Sequence, residues 1–374
     1  MRTWIHTAHP ARTVFGAGTV ERIRDEVERL DRSRALLLAG HAAAPVAGQV
    51  VDLLGPVAVG RFDGAAMHTP VEVTDDALVL LRERAADCVV AVGGGSTTGL
   101  AKALAWRTGV DQIIIPTTYS GSEVTPVLGE TADGVKTTRS SPAVLPETVL
   151  YDVDLTLTLP VHISVTSGFN AMAHAVEALY SAEASPVADV LASHAISRIA
   201  SALPRVGTDP SDRDARTDML EGAWMAGTCL GSVSMGLHHK LCHTLGGSFD
   251  LPHADTHTVV LPHSLAYNAP AVPDVMARIA GALQDGGRFT ANRPSSAGSD
   301  LGRDVPALVY DLIATTGGPV SLRELGMAED DLPKAAQLAT ATAYPNPRAL
   351  TSSGVEGLLR QAWRGARPEA TPTM

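Results

Sequence analysis

The hydrophobic pattern of the chain changes near residue 160, and this change constrains the fold more than any other feature. Before it, strand-like apolar runs at 34–40, 88–92 and 112–118 alternate with helix-like segments at 18–30, 74–86 and 100–107. This alternation predicts a parallel sheet with helices on both faces. After it, segments rich in Ala, Leu and Met predict helices over 167–182, 187–203, 216–230, 235–245 and 275–284.

These patterns predict an α/β domain over 1–160, a helical domain over 161–364 and a disordered tail over 365–374. The boundary falls at Leu159-Pro160, because proline interrupts regular structure. The segment 286–303 is rich in Gly, Ser, Asn and Arg and predicts an exposed loop. A chain of 374 residues is long enough for two domains of ordinary size.

The composition excludes several classes of function. The 29 Lys and Arg residues against 40 Asp and Glu give a net charge of −11, which disfavours binding to nucleic acid or an anionic membrane. Three cysteines without a CxxC pair exclude a disulfide framework and a Cys-based zinc site. They fit a reducing compartment, and the first ten residues lack the apolar segment of a secretory signal. We therefore expect a cytoplasmic protein that binds a small molecule.

Two polar motifs follow neighbouring strands of the predicted sheet. Gly93-Gly-Gly-Ser96 comes after the strand at 88–92, and Pro116–Glu123 (PTTYSGSE) follows the next strand. Glycines let the backbone approach a ligand, and a helix N-terminus favours phosphate. A simple glycine turn is the alternative, because the pattern is not GxGxxG. Together the motifs predict a nucleotide crevice at the carboxyl edge of the sheet.

Histidines are concentrated in the second half of the chain. Six of the 13 lie between His238 and His263. His239 and His243 are four residues apart and share a helix face, as do Asn170 and His174. We place His253 in a loop. A single histidine is more often a surface or core residue, but a cluster of this density predicts a metal site or a catalytic site.

Four stretches resemble the iron-containing (group III) alcohol dehydrogenases, and the similarity to the maleylacetate reductases of that family is close. The stretches are 93–102 (GGGSTTGLAK), 116–126 (PTTYSGSEVTP), 136–138 (KTT) and 236–267. The resemblance runs from Phe15 to about Gly357. It implies a Rossmann-like nucleotide-binding domain, an all-helical C-terminal domain, a dehydroquinate synthase-like architecture with the site in the interdomain cleft, and a homodimer.

The resemblance also implies roles for individual residues. The cofactor would be bound by Gly94, Gly95, Ser96, Thr117, Thr118 and Ser120. Metal-using relatives hold their ion with one Asp and three His, at positions occupied here by Asn170, His174, His239 and His253. His243 corresponds to the histidine beside the nicotinamide.

Asn170 departs from the metal-using pattern, in which a carboxylate stands at this position. A neutral amide supplies no charge to a divalent cation, so the site is weaker for Fe²⁺, although His-rich sites suit Zn²⁺. Gly99 likewise stands where many metal-using relatives have Asp. We therefore expect a degenerate metal site, with NADH or NADPH as cofactor and no metal.

The reaction implied by the resemblance is reduction of maleylacetate, or a close substituted analogue, to 3-oxoadipate in the catabolism of aromatic compounds. Hydride would add to the enone carbon β to the ketone, and a proton would reach the α-carbon. The site must then stabilise an oxyanion and donate a proton. We assign this chemistry to His243, with His174, His239 and His253 around it.

A dicarboxylate substrate also needs positive charge and hydrogen-bond donors. Asn170, Lys136, Arg139 and His238 are the candidates, and arginine binds carboxylate in a bidentate fork. Lys136 is predicted in a hydrophilic loop, and a solvated loop lysine is the alternative. The strand at 34–40 ends without an acidic residue, so His41 could accommodate a 2′-phosphate and NADPH stays open beside NADH.

Three other functions remain open. A metal-dependent alcohol dehydrogenase would need Asn170 as a ligand. A non-redox lyase of the dehydroquinate synthase type would need more basic residues than this chain offers. A catalytically silent NAD-binding protein would have no use for the histidine cluster.

Overall fold

The computed structural model describes residues 4–9, 11–132, 135–284 and 304–369. The chain divides into two compact units, an α/β unit over Thr7–Leu159 and a helical unit that contains Pro160–Met374 and Met1–His6. The predicted loop at 286–303 lies outside the described residues, and so do residues 370–374 of the predicted tail. No helix in the described ranges combines the length and apolar character needed to cross a membrane.

A six-stranded parallel sheet forms the centre of the α/β unit, with strand order β1-β8-β5-β4-β2-β3. Its strands are β1 (Arg12–Phe15), β2 (Ala35–Ala39), β3 (Ala58–Phe62), β4 (Cys88–Gly93), β5 (Asp111–Pro116) and β8 (Thr148–Tyr151). A separate antiparallel pair contains β6 (Val127–Ala132) and β7 (Val135–Ser140). Strands β2 and β4 are buried along their whole length, which explains their continuous apolar sequences.

Helices cover both faces of this sheet. They are α1 (Ile23–Arg29), α2 (Ala44–Leu54), α3 (Val71–Glu83) and α4 (Gly95–Thr108). Leu37 and Val90 belong to a core cluster with side chains of α1 and α2. Leu36, on the opposite face, lies with Arg84 beside Gly60. Successive strand residues thus face opposite layers, and the predicted α/β fold is confirmed.

The sequence interpretation missed five strands, and one of them corrects a predicted site. Lys136 was expected in a loop, but it lies in strand β7. β1 and β3 are edge strands that are only partly buried, so their sequences lack a continuous apolar run. The helix predicted at 100–107 begins earlier, inside the glycine motif at Gly95.

The described part of the helical unit contains helices and no strand, which confirms the predicted all-α class. They are α5 (Val161–Tyr180), α6 (Pro186–Thr208), α7 (Arg213–Ser232), α8 (Leu237–Phe249), α9 (His253–Asn268), α10 (Pro273–Gln284), α11 (Val305–Thr315), α12 (Leu332–Thr340) and α13 (Ser352–Arg364). Every residue of α5 from Ser164 to Tyr180 is buried. Polar side chains on this helix must therefore find partners inside the protein.

Candidate active site

Three consecutive glycines join β4 to α4 in the α/β unit. Gly93 has a backbone φ of +152°, and a Cβ there would lie 2.5 Å from Thr97 Oγ1. Only glycine fits here, because a side chain would be strained and would clash with the first turn of α4. Gly94 caps α4 and Gly95 is its first residue. The backbone can thus approach a phosphate at a helix N-terminus, where N–H groups lack intrahelical partners.

The second motif lies beside the first because β4 and β5 pair in parallel. Gly93 is opposite Pro116 in this register, and Thr117 N donates to Gly93 O at 2.9 Å. The two strands therefore end at the same level, and the segments that follow them start side by side.

Side chains of the second motif border the glycines closely. A Cβ on Gly94 would lie 2.9 Å from Thr118 Oγ1, and a Cβ on Gly95 would lie 3.1 Å from Ser120 Oγ. Ser96 follows in the first turn of α4. The structure thus brings the predicted cofactor residues together, and their glycine backbone and hydroxyl groups suit a dinucleotide phosphate.

Lys102 was not predicted as a site residue, yet it holds the second motif in place. Its side chain is fully buried, and Nζ donates to Ser122 O (2.5 Å), Thr125 O (2.7 Å), Thr125 Oγ1 (3.0 Å) and Val127 O (2.9 Å). Burial lowers the pKa of Lys102 to about 7, whereas Glu123 acts in the opposite direction. An ammonium group only donates, so Lys102 connects α4 to the segment after the second motif.

The other predicted residues of this unit lie elsewhere on it. His41 is exposed and begins a short 3-10 helix after β2. Arg139 lies in β7, where its guanidinium is 3.8 Å from Glu130 and 5.1 Å from the ring of Trp106. Its charge already faces a carboxylate of the same unit, which argues against Arg139 as a free cation for substrate.

In the helical unit, one face of α5 carries Asn170, His174 and Glu177, spaced by four and three residues. The Glu177 carboxylate accepts hydrogen bonds from His239 Nδ1 at 2.6 Å and from the backbone N–H groups of Gly236 and His238 at 3.2 and 3.0 Å. A carboxylate only accepts, so the proton on His239 is at Nδ1. Glu177 thus fixes both the start of α8 and the tautomer of His239.

His239 continues this chain of hydrogen bonds to His174. His239 Nε2 lies 2.7 Å from His174 Nδ1, and the two rings stack with centroids 4.9 Å apart. Since the Nδ1 proton of His239 is directed at Glu177, a neutral His239 accepts at Nε2 and His174 donates. The hydrogen-bond chain Glu177–His239–His174 therefore places a proton on Nδ1 of both histidines.

His243 and His253 extend the cluster toward its accessible side. The His243 ring is 6.2 Å from that of His239 and 6.4 Å from that of His253. His243 is exposed and His253 is half-buried, whereas His174 and His239 are buried. The prediction of a loop at His253 was wrong, because this residue begins α9 after Pro252.

His238 occupies a different environment from the one expected. Its ring is fully buried, with Nδ1 3.2 Å from Ser264 Oγ and Nε2 2.9 Å from His257 Nδ1. Burial holds the pKa of His238 well below its usual value, so the ring is neutral at pH 7. This contradicts the expectation that His238 offers positive charge to a substrate carboxylate.

One of the four residues at the relatives' metal positions has no charge to offer a divalent ion. Glu177 holds His239 Nδ1, and a bound ion would take the place of the hydrogen bond between His239 Nε2 and His174 Nδ1. Asn170 contributes a neutral amide, and its Oδ1 is buried without a hydrogen-bond partner among the described residues. That unpaired oxygen can accept a hydrogen bond from a ligand, but it brings no negative charge to a cation.

Sequence reasoning missed Glu177, which nevertheless left a signal. It lies three residues after His174 and so shares its helix face, but a mid-helix glutamate is usually exposed. His257 was noticed in the histidine-rich segment but was assigned no role. Its ring is 4.4 Å from that of His253 and 5.0 Å from that of His239.

Comparison with protein families covers both units. The model described as "Iron-containing alcohol dehydrogenase" matches residues 10–153, and "Fe-containing alcohol dehydrogenase family, C-terminal" matches residues 164–363. The chain belongs to the iron-containing alcohol dehydrogenase family. This family comprises NAD(P)-dependent oxidoreductases, which agrees with the cofactor motifs of the α/β unit.

Relatives inside the iron-containing alcohol dehydrogenase family have a more specific name. Maleylacetate reductase 1 of Rhodococcus opacus is 58% identical over 98% of this chain and 98% of its own length. The maleylacetate reductase of Rhizobium sp. (strain MTP-10005) is 51% identical over 99% of this chain and 100% of its own. The crystal structure of maleylacetate reductase from Agrobacterium tumefaciens has a TM-score of 0.90 at 49% identity, covering 98% of this chain and 100% of that one. The predicted family and the resemblance to maleylacetate reductases are confirmed.

Proposed function

We propose that the protein is a maleylacetate reductase that uses NADH or NADPH and needs no metal. One observation carries the metal-free part: Asn170, a neutral amide on the buried face of α5, stands where metal-using relatives have a carboxylate. The similarity to relatives named maleylacetate reductase supports the substrate. The glycine and hydroxyl groups at the ends of β4 and β5 support the nicotinamide cofactor.

The bound cofactor supplies a hydride to the enone carbon β to the ketone of the substrate. Negative charge then develops on the ketone oxygen, and the protein must stabilise this enolate and protonate its α-carbon. His243 is the proton donor in this proposal, since it is the exposed histidine of the cluster and an imidazole can both donate and accept a proton. His253 is half-buried beside it and is the second group that a ligand can reach.

The buried residues act by orienting the reacting groups. Asn170 can donate its amide hydrogens to a substrate oxygen, and its side chain is held at the buried face of α5. His174 and His239 keep fixed tautomers through Glu177, so these two rings do not have to reorient during reaction. For the second substrate carboxylate we propose Lys136, with Arg139 as the weaker candidate because Glu130 already faces it.

A steady-state assay tests this function. Purified protein, stripped of metal ions, is mixed with NADH and maleylacetate, with and without EDTA, and with added Fe²⁺. We expect NADH oxidation that EDTA does not slow and Fe²⁺ does not accelerate. Turnover abolished by EDTA would restore Asn170, His174, His239 and His253 as metal ligands. Turnover with simple aldehydes but not with maleylacetate would assign the protein to the alcohol dehydrogenases.

Three further assignments are proposals. We infer a homodimer from the resemblance, a cytoplasmic location from the composition, and His41 as the residue beside the adenosine ribose from its place after β2. Light scattering after gel filtration measures the oligomeric state, and the ratio of kcat/KM for NADH and NADPH in a His41→Ala variant tests the third assignment.

A further inference from the structure

A buried set of two histidines and one cysteine adjoins the catalytic histidines, and the reaction above does not use it. His238 and Cys242 are one turn apart on α8, and His257 is in the second turn of α9. All three side chains are 0% exposed. Among the described His, Cys, Asp and Glu residues, this is the one place where three ligand atoms lie within 4.8 Å of one another.

The distances in this set are close to those of a coordination sphere. His238 Nε2 lies 2.9 Å from His257 Nδ1 and 3.7 Å from Cys242 Sγ. Tetrahedral zinc separates two nitrogen ligands by roughly 3.4 Å, and a nitrogen from a sulfur by roughly 3.6 Å. The nitrogens would have to move apart by about half an ångström, which small ring rotations achieve.

The hydrogen bonds around the set allow His238 and His257 to present lone pairs to a metal ion. Ser264 Oγ donates to Leu261 O at 2.9 Å, so Ser264 accepts the Nδ1 proton of His238. His238 Nε2 then carries no proton, and its lone pair accepts a hydrogen bond from His257 Nδ1. His257 Nε2 has no hydrogen-bond partner among the described residues, so His257 can carry its proton there and turn a lone pair at Nδ1 toward a metal ion.

Charge and ligand type select the ion. Two imidazoles and a thiolate favour Zn²⁺, Co²⁺ or Cu⁺ over Mg²⁺ or Ca²⁺. Burial and then the charge of Glu177 raise the pKa of the Cys242 thiol, so the sulfur stays protonated until an ion binds. On binding, the S–H bond of Cys242 breaks, its proton goes to solvent and an S–Zn bond forms. The thiolate supplies one negative charge to the bound ion.

We propose that His238, Cys242 and His257 form a zinc site whose occupation inhibits the enzyme. The site uses none of the residues at the relatives' metal positions, and its one cysteine ligand departs from the expectation that the cysteines of this chain exclude a Cys-based zinc site. Inhibition follows because the His257 ring lies 4.4 Å from that of His253, and His238 precedes His239 in α8. Moving either ligand displaces a histidine of the reacting cluster. The inhibition rests on the proposed function, whereas the binding of zinc does not.

Cobalt spectroscopy tests the site without an activity assay. Metal-free wild type, Cys242→Ser and Cys229→Ser are titrated with Co²⁺, and the near-ultraviolet thiolate-to-cobalt band is recorded. Cys229 is the matched control, because it is equally buried in the helical unit but contacts the backbone oxygen of Ala188. Wild type and Cys229→Ser should bind one ion with the band. Cys242→Ser should lose the band and weaken binding by more than the about 10–100-fold that loss of an outer-shell partner costs.

Two outcomes would overturn the proposal: no band in wild type, or a band that survives Cys242→Ser. Cobalt bound without a thiolate band and lost in His174→Ala would assign the ion to the relatives' metal positions instead. Should Cys242→Ser not fold, mass spectrometry of unmodified wild type gives the answer. Zn²⁺ must then protect Cys242, and not Cys229, from alkylation during partial unfolding.

An inhibition assay with Zn²⁺ distinguishes failure of this proposal from failure of the proposed function. Zn²⁺ should inhibit maleylacetate-dependent NADH oxidation in wild type and in Cys229→Ser, but not in Cys242→Ser. A thiolate band without maleylacetate turnover would retain the metal site and remove the proposed function. Turnover without a band would do the reverse.

Discussion

Each unit buries charged or titratable groups, but the partners differ in kind. In the α/β unit, the Lys102 ammonium is surrounded by oxygens of one short segment, and three of the four belong to the backbone. In the helical unit, Glu177 connects side chains and N–H groups of α5 and α8, and the chain continues from His239 to His174. Backbone partners fix the course of a loop, whereas side-chain partners fix the positions of protons. In the proposed function, the first arrangement serves cofactor binding and the second serves chemistry.

Replacing Lys102 tests the first half of this comparison and should have the largest effect. Lys102→Met leaves its four oxygen partners without a donor and Glu123 without a buried cation. We expect the free energy of unfolding to fall by roughly 3–5 kcal/mol, as when one partner of a buried charge pair is removed. Urea denaturation measures this change.

Arg24→Met on α1 is the control. Arg24 forms an exposed ion pair with Glu28, so its loss should cost about 1 kcal/mol or less. Equal losses in the two variants would show that buried Lys102 and its oxygen partners contribute no more stability than a surface ion pair. A double variant, Lys102→Met with Glu123→Gln, should recover part of the loss.

Replacing Glu177 tests the second half. Glu177→Gln keeps the volume but replaces the charge-assisted hydrogen bond to His239 Nδ1, which should cost roughly 1.5–3 kcal/mol of stability. The kcat should fall, because the tautomers of His239 and His174 are no longer fixed, while the KM for NADH stays unchanged. Glu183→Gln is the control, since its carboxylate accepts from Ser234 N outside the histidine cluster. A variant that alters the KM for NADH and not kcat would contradict this role.

His263 offers a smaller, pH-dependent test of burial in the helical unit. Burial lowers its pKa from 6.5 to about 4. Below pH 6.5 the imidazole is protonated in the unfolded chain but stays neutral in the folded protein. The free energy of unfolding therefore decreases as pH falls. The loss should reach about 2 kcal/mol at pH 5.

The variant His263→Leu removes this titration and should be less sensitive to acid. Urea midpoints of wild type and variant at pH 7 and pH 5 measure the difference. An identical acid response in both proteins would mean that His263 is not kept neutral by burial.

The smallest effect is expected at the glycine motif. A Cβ on Gly94 would lie 2.9 Å from Thr118 Oγ1, so Gly94→Ala must push the second motif aside. We expect the Kd for NADH to rise about tenfold, or about 1.4 kcal/mol, by titration calorimetry. Gly48→Ala in α2 meets nothing within 4 Å and should leave NADH binding unchanged. Similar effects of both variants on the Kd for NADH would contradict the assignment of Gly94 to the cofactor site.

The sequence predicted the centre of the α/β unit and the histidine cluster because both leave local patterns. β4 and β5 are apolar runs that end in glycine or hydroxyl residues. Edge strand β3 has no such run, since its residues are only half-buried. The helix that begins at His253 was missed because its start follows proline and its polar residues resemble a loop.

The residues that sequence reasoning missed have partners far away in the chain. The sequence places Lys102 on the polar face of a helix, yet the four oxygens that accept its hydrogen bonds belong to residues 122–127. Glu177 reads as a solvent-exposed glutamate, but its partners are 59–62 residues further along. His238 was misassigned for the same reason, because the α8–α9 packing that buries it has no local signal. Tertiary packing, and not local propensity, decides the charge state of such groups.

The order in which the chain passes through the two units has a consequence for protein engineering. Residues up to His6 group with the helical unit, where His6 lies 3.4 Å from Ser185, and the chain returns to that unit at Pro160. The stretch 7–159 is thus a cassette inserted into another domain. No single truncation separates the two, but two junctions, after residues 6 and 159, would let a chimera take its nucleotide preference from a relative while its own histidines stay in place.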